Sequence, residues 1–392
     1  MIRPCPTPAV LAILLLLMIS AIPPEGSAMP LSDSVRAADA ALDRALDELV
    51  SMPGGPPGAI ALVQRGASLT VHAAGVSELG SPGKPQKNEF IRVASIAKAF
   101  SGAVALALVN AGQLALNDSI GQSLPDLPAA WHAVTLRQLL GHTSGLPDFT
   151  QSPAFQKAVM ASPLVAPSPS ALLAFVADLP LNFTPGTQYR YSNSDNIAVG
   201  LMIEAVTAMR YADVLKTQVL EPLGLDRTSL PGGPELSLPF IHGYDFLDNG
   251  VPEDVSETLA AGWAWASGGI VSTPANLNRF MRAYVRGRLF DKRIRAAQRR
   301  WIPSAGSEPP GPGRNSAGLG LFRYRTRCGT VFGHTGNTFG FTQFAAARAD
   351  GKRSVTVSIS LQRTQKSKDW ELAVFKALRV TEEQAVCAAL AR

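Results

Sequence analysis

Strand-like segments lie at both ends of this 392-residue chain, and a long stretch that favours helices separates them. Alternating patterns predict strands at residues 59–63 and 68–74, with a turn at Gly66, and again at 331–332, 339–347 and 354–361. Residues 112 to about 254 favour short helices joined by proline-bearing loops. The pattern predicts an α/β fold: an antiparallel sheet flanked by helices and built from both chain ends, with an inserted, mostly helical lobe.

Helical periodicity defines the remaining elements. Residues 32–50 carry Val35, Leu42, Leu46 and Leu49 on one face, as an amphipathic helix requires. A second helix should begin at Ser95 and end near residue 110, and further helices are predicted at 135–140, 170–179, 196–209, 211–220, 273–288 and 366–378. We therefore expect a sheet lobe from about 29–111 and 256–392 and a helical lobe from about 112–255. A cleft between two lobes is a natural place for a site.

The first 28 residues are typical of a signal peptide. Arg3 precedes an uncharged apolar run at residues 9–22, and Gly26, Ser27 and Ala28 offer a small-residue cleavage site. The run is short for a membrane span, which needs about 20 residues, although an uncleaved anchor is the alternative. We expect a secreted or periplasmic protein with no permanent membrane anchor.

The formal net charge of +6 is concentrated in an arginine-rich stretch at residues 279–300. This stretch has few aromatic residues and no nucleic-acid motif, so we expect no nucleic-acid partner. A solvated surface is the simpler interpretation, and attraction to an anionic cell wall or membrane surface is the alternative. Cleavage would leave Cys328 and Cys387, whose pairing the sequence leaves open. The two cysteines are too far apart in the sequence to suggest a metal site, and the chain has no H-E-x-x-H motif.

Three short motifs carry the candidate chemistry. Ser95 and Lys98 are three residues apart on a predicted helix, so a lysine of lowered pKa could take the proton of the serine hydroxyl. Tyr191 could shuttle a proton, and Asn193 could orient a substrate carbonyl.

The third motif is His334-Thr335-Gly336, which we expect just before a strand whose edge could dock an extended peptide. The backbone N–H groups of Asn337 and Ser95 could together form an oxyanion hole.

The order S-x-x-K, Y-S-N, H-T-G resembles that of the penicillin-recognising serine hydrolases. A tyrosine at the start of the middle motif is similar to the class C β-lactamase branch, which includes D-alanyl-D-alanine carboxypeptidases and esterases. The runs at residues 139–146, 183–193 and 267–273 resemble further family segments, and the resemblance covers roughly residues 38–378.

The resemblance implies a role for each matching residue and a β-lactamase/transpeptidase-like fold. Ser95 would be acylated, Lys98 would help to receive its proton, and Tyr191 would act as general base and then as general acid. Asn193 would position the substrate beside an edge formed by His334, Thr335, Gly336 and Asn337. His142 would be structural, and no metal or organic cofactor is implied.

Histidine at position 334 replaces the commoner lysine of this motif, so its charge would depend on pH. This version of the motif resembles secreted D-alanyl-D-alanine carboxypeptidases, which makes cell-wall stem peptides the expected substrate. The alternatives are an esterase or β-lactamase with the same nucleophile, or a non-catalytic penicillin-binding sensor. The expected partners are therefore small peptides or esters and β-lactams, and we expect a monomer.

Overall fold

The computed structural model describes residues 1–2, 32–246, 250–363 and 369–392. The predicted signal peptide lies almost wholly outside these residues. Within the described ranges, no helix is both long enough and apolar enough to span a bilayer.

Twelve strands are present in the described ranges. They are β1 Gly58–Arg65, β2 Ser68–Gly75, β3 Ile91–Arg92, β4 Tyr244–Phe246, β5 Pro252–Asp254, β6 Val271–Ser272, β7 Ile302–Pro303, β8 Arg314–Ala317, β9 Phe322–Thr326, β10 Gly329–Thr338, β11 Phe341–Ala347 and β12 Arg353–Ile359.

Thirteen α-helices occur in the same ranges. They are α1 Asp33–Ser51, α2 Ala97–Asn110, α3 Ile120–Ser123, α4 Leu136–Leu140, α5 Pro153–Ala161, α6 Pro169–Ala174, α7 Asn193–Thr207, α8 Tyr211–Leu215, α9 Glu221–Leu223, α10 Trp265–Gly268, α11 Pro274–Arg286, α12 Lys292–Gln298 and α13 Asp369–Leu390. A π-helical turn, Lys216–Leu220, joins α8 to α9.

Eight strands form one antiparallel sheet in the order β2-β1-β12-β11-β10-β9-β8-β7. Strand β1 pairs with β12 from Ala59 opposite Ile359 to Arg65 opposite Arg353, so segments from the two ends of the chain are neighbours within the sheet. Every residue of β11 is buried, as expected for a central strand that is covered on both faces. The predicted α/β fold, built from both chain ends, is confirmed.

Helices α1 and α13 pack against each other on one face of the sheet, and α11 packs on the other. The predicted stripe of α1 is buried, and the Ser32 side chain accepts a hydrogen bond from the backbone N–H of Val35. Helix α2 is apolar on all sides and runs through the core, with Lys98 as its one charged residue.

Three local predictions need correction. The helix predicted at 170–179 ends at Ala174. The chain continues in tight turns up to Pro180, which disfavours helical backbone at Leu179. The sequence analysis did not predict strands β7 to β9: β7 and β8 are short and carry few apolar residues, whereas the alternation of β9, Phe322–Thr326, was a signal that it missed. The strand predicted at 331–332 spans Gly329–Thr338, so the His334 motif lies within a strand rather than ahead of one.

Candidate active site

The nucleophile candidate sits on a tight backbone turn. Ala94–Ile96 forms one turn of 3-10 helix that leads directly into α2. Ala94 has φ +50, a left-handed conformation that is rare for a residue with a side chain. Strained backbone of this kind is frequent at active sites, where the surrounding structure maintains it. The turn places Ser95 on the wall of a cavity of about 370 Å³.

Lys98 is buried at the bottom of the site. Its Nζ lies 3.1 Å from Ser95 Oγ, 2.7 Å from Asn193 Oδ1 and 2.7 Å from the Ser267 carbonyl oxygen. Two of these neighbours can only accept hydrogen bonds, whereas the serine hydroxyl can also donate. A neutral amine would therefore direct its two N–H bonds at Asn193 and Ser267 and its lone pair at Ser95.

Burial lowers the pKa of Lys98 to about 7, although the negative charges of Asp148, Asp195 and Glu308 act in the opposite direction. A lysine with this pKa is substantially neutral near pH 7 and can accept a proton.

Tyr191 faces the same cavity, with its ring 5.0 Å from Lys98 Nζ. Its hydroxyl is buried and makes no well-directed hydrogen bond. Burial raises the pKa of Tyr191 well above its usual value, an effect that the nearby Ser95 hydroxyl partly opposes. The hydroxyl is therefore protonated near neutral pH.

Asn193 links the lysine to an acid. Its Oδ1 accepts from Lys98, and its Nδ2 lies 3.0 Å from Asp148 Oδ2. The amide is thus engaged on both sides by protein groups. In this structure it positions Lys98, in addition to any contact with a substrate that the resemblance implies.

The residues of the His334-Thr335-Gly336 motif lie in two different environments. His334 and Thr335 are buried and do not line the cavity. The His334 Nδ1–H donates to the Thr335 carbonyl, and the Thr335 hydroxyl lies 2.6 Å from Ser307 Oγ and from the Pro309 carbonyl oxygen. Burial lowers the pKa of His334 to about 3, so the ring is neutral at physiological pH.

Gly336 packs against the backbone of the candidate nucleophile, and Asn337 lines the same cavity as Ser95. A Cβ at Gly336 would lie 2.3 Å from the Val93 carbonyl oxygen and 3.2 Å from the Ser95 backbone nitrogen. Only glycine therefore lets β10 approach the turn this closely. Asn337 lies on the cavity wall, and its backbone N–H is the expected second donor of an oxyanion hole.

His142 lies beneath Tyr191 rather than on the cavity wall. Its Nδ1 is 2.8 Å from Asp195 Oδ2, and its ring centre is 4.5 Å from that of Tyr191. Burial lowers the pKa of His142 to about 3 and raises that of Asp195. These contacts agree with a supporting role for the segment.

Sequence reasoning missed two acids of the cavity wall. Asp148 caps a 3-10 turn, Phe149–Gln151, and accepts hydrogen bonds from the Thr150 backbone and hydroxyl. Glu308 lies in a loop between β7 and β8. The Pro147-Asp148 sequence signals a turn, but nothing in the sequence assigns that turn or Glu308 to a cavity.

The Beta-lactamase family profile matches residues 42–378 of the chain. Its members are serine hydrolases, and the positions of Ser95 and Lys98 agree with that chemistry. The chain belongs to this family.

Individual relatives match parts of this chain with low sequence identity. A penicillin-binding protein of Bacillus subtilis (strain 168) is 27% identical over 51% of this chain and 45% of its own length. The D-alanyl-D-alanine-carboxypeptidase/endopeptidase AmpH of Escherichia coli (strain K12) is 26% identical over 66% of this chain and 65% of its own length. The chain thus spans about half to two thirds of these relatives.

Among solved structures, a D-stereospecific amidohydrolase from Streptomyces sp. superposes with a TM-score of 0.74 and 29% identity. That match covers 86% of this chain and 98% of the other.

Proposed function

We propose that this chain is an exported serine hydrolase that cleaves amide bonds through an acyl-enzyme on Ser95, with D-alanyl-D-alanine peptides of the cell wall as the first candidate substrate. The observation that carries the proposal is the position of Lys98 Nζ, 3.1 Å from Ser95 Oγ and between two groups that only accept hydrogen bonds. This arrangement supplies a base for a hydroxyl that is otherwise a poor nucleophile.

In the proposed mechanism, neutral Lys98 takes the Ser95 proton as Oγ attacks the carbonyl carbon. The backbone N–H groups of Ser95 and Asn337 stabilise the oxyanion. Tyr191 then passes a proton to the leaving amine and recovers one from the Lys98 ammonium. Neutral Lys98 next takes a proton from the water that attacks the acyl ester, and Ser95 Oγ leaves with that proton. Because the raised pKa keeps the Tyr191 hydroxyl protonated, the first proton transfer goes to Lys98 rather than to the tyrosine.

The carboxypeptidase AmpH and the placement of the three motifs support peptides ending in D-alanine as substrates. A second candidate, a D-amino-acid amidase, is favoured by a specific observation. No arginine, lysine or histidine side chain from the described residues lines the cavity, so the wall offers no cation to a C-terminal carboxylate. The D-stereospecific amidohydrolase is similar over most of its length. Ester and β-lactam hydrolysis use the same nucleophile, and a non-catalytic penicillin-binding sensor would keep the same fold.

We further propose that the protein acts as a monomer outside the cytoplasm, in the periplasm or secreted medium, after removal of the signal peptide. Its partners would be small peptides, amides or esters and β-lactams. The apolar run at residues 9–22 and its small-residue cleavage site support export.

The test compares the wild type with Ser95→Ala on four substrates: a diacylated Lys-D-Ala-D-Ala peptide, a D-amino-acid amide, a short-chain ester and a chromogenic cephalosporin. Release that disappears in Ser95→Ala supports the acyl-enzyme, and the preferred substrate assigns the class. A β-lactam adduct on Ser95 without turnover of any substrate would support the sensor instead.

A further inference from the structure

A second cavity, of about 490 Å³, lies beside the end of α2 that is far from Ser95, where Val109 forms part of its wall. Arg137 of α4, Arg293 of α12 and Arg300, which follows α12, also line it. No carboxylate from the described residues lies on this wall, and the wall shares no residue with the active-site cavity. The cavity is therefore a separate site with a positively charged wall.

The guanidinium groups of Arg137 and Arg300 have no partner within the described part of the chain, neither a hydrogen bond nor an ion pair. Arg210, by contrast, donates two hydrogen bonds to Asp213. Burial lowers the pKa of Arg137, and the positive charge of Arg300 lowers it further, so the two like charges lie within range of each other. An anion between them would relieve this repulsion and accept hydrogen bonds from both.

Arg293 adds a third charge that is only loosely paired. Its Nε lies 4.0 Å from Asp291 Oδ2, which is too long for a hydrogen bond. The other oxygen of Asp291 accepts from the backbone N–H of Ile294 and caps α12. Asp118, which is close to the wall in sequence, accepts from the backbone N–H of Ala115 and does not line the cavity. The three arginines thus have hydrogen-bonding capacity to spare.

Much of the remaining wall is apolar. Ala296 and Ala297 line the cavity from α12, and their short side chains leave room beside the arginines. Buried aliphatic side chains complete this part of the wall: Val109, Leu114, Leu116 and Ile294. A wall of this composition suits a ligand with an anionic head and a short apolar tail.

The number of donors favours a phosphate over a carboxylate. An arginine fork can bind both oxygens of a carboxylate, which leaves few acceptors for a second arginine. A phosphate monoester offers three strong acceptor oxygens and a charge of about −1.5 to −2 near neutral pH. It can therefore accept from several guanidinium groups at once.

We propose that this cavity binds a phosphate monoester with an apolar substituent of a few carbons, whose phosphate contacts Arg137, Arg293 and Arg300. The site is independent of Ser95 and does not rest on the proposed function. The same chemistry occurs in free alkyl or aryl phosphates and in the headgroup of phosphatidic acid, and the test distinguishes these two sources.

The experiment measures the binding of hexyl phosphate to the protein by calorimetry, with inorganic phosphate and hexanoate as comparison probes. We expect hexyl phosphate to bind about fivefold or more tightly than either, because it alone combines the phosphate with an apolar tail. Arg300→Gln should weaken its binding by about tenfold or more. Arg137→Lys keeps the charge but removes the fork, and should weaken binding by about threefold or more.

The matched control is Arg288→Gln, which removes one charge from an exposed arginine of the same sequence stretch that does not line the cavity. It should leave the affinity for hexyl phosphate within about twofold of the wild type, since exposed charges at a distance are screened. Equal losses in Arg288→Gln and Arg300→Gln would overturn the site, because binding would then follow net charge alone. Hexyl phosphate that fails to bind, or that binds no better than inorganic phosphate, would overturn it as well.

Phosphatidylcholine vesicles with and without phosphatidic acid separate the two sources of the ligand. Binding to the acidic vesicles that hexyl phosphate displaces and Arg300→Gln weakens would assign the site to the lipid headgroup. Binding of hexyl phosphate without binding to these vesicles would assign it to free phosphate esters. Binding to the acidic vesicles that Arg288→Gln and Arg300→Gln weaken equally, without binding of hexyl phosphate, would reject the cavity in favour of an exposed basic surface.

Discussion

The surroundings of each residue decide what its side chain can do. Lys98 and the arginines of residues 279–300 are all basic, but only Lys98, which lies on α2, is enclosed in the protein core. Arg282, Arg295 and Arg299 instead donate to backbone carbonyl groups near the surface. Burial therefore lowers the pKa of one lysine, whereas none of the arginines of residues 279–300 is buried.

The pH dependence of hydrolysis should follow Lys98. Its pKa of about 7 is lowered by burial, so the neutral, active form dominates above that pH. We expect kcat/KM to rise about tenfold per pH unit below pH 7 and to level off above it. His142 and His334 have pKa values lowered to about 3 and cannot produce this step.

His242→Asn supplies the control, because this partly exposed histidine lies outside the cavity. The rise in kcat/KM up to about pH 7 should persist in the His242→Asn variant. A rate independent of pH between 5.5 and 8.5, measured on a substrate without its own ionisation, would remove Lys98 from the role of base.

Tyr191→Phe should lose most of its rate with little loss of stability. The change removes a hydroxyl that makes no well-directed hydrogen bond, so the free energy of unfolding should change little. Loss of a general acid costs roughly 10²–10⁴-fold in rate. Single-turnover kinetics and urea unfolding measure the two effects.

Tyr189→Phe is the matched control, since the Tyr189 hydroxyl donates to the Gly306 carbonyl and does not line the cavity. The Tyr189→Phe variant should lose about 1 kcal/mol in the free energy of unfolding and keep the wild-type rate. A normal rate in Tyr191→Phe would exclude the tyrosine from proton transfer.

At the scale of elements, local patterns predicted more of the fold than of the cavity. Helix α1 follows from periodicity because it buries one continuous apolar face, and strand β1 follows from a short apolar run that turn residues bound. Strand β10 does not, since Gly333, Gly336 and Asn337 have weak strand preferences, and the strand extends because β11 pairs with it. Asp148 and Glu308 reach one cavity only after distant segments fold together, which no local pattern encodes.

Gly336→Ala should separate β10 from the nucleophile turn. The new Cβ would lie 2.3 Å from the Val93 carbonyl oxygen, which is backbone and cannot move alone. We expect a loss of about 1–3 kcal/mol in the free energy of unfolding and at least a tenfold fall in kcat/KM, as Ser95 and Asn337 shift apart.

Gly232→Ala is the corresponding control, because a Cβ there meets no atom within 4 Å. It should change stability by less than about 0.5 kcal/mol. Wild-type kinetics in Gly336→Ala would show that the close approach is not needed for catalysis.

At the scale of the whole molecule, the two chain ends stabilise each other. Strand β1 pairs with β12, the Ser360 hydroxyl donates to the Gly58 carbonyl, and α1 packs on α13. The sheet that carries Gly336 and Asn337 therefore combines strands from both ends of the chain. This arrangement makes contacts of long sequence separation central to the fold.

A disulfide adds a covalent link to the same region. Cys328, in the turn between β9 and β10, pairs with Cys387 of α13, with Cα atoms 5.1 Å apart and 59 positions between them in the sequence. Closing a loop of this length in the unfolded chain contributes about 4 kcal/mol by the chain-entropy estimate.

We expect reduction, or the double change Cys328→Ser and Cys387→Ser, to lower the denaturant midpoint accordingly. Because neither cysteine lines the cavity, kcat/KM under native conditions should stay the same. The double variant should not respond to reductant, and a wild type whose midpoint is equally indifferent would show that the bond does not stabilise the docked end of the chain.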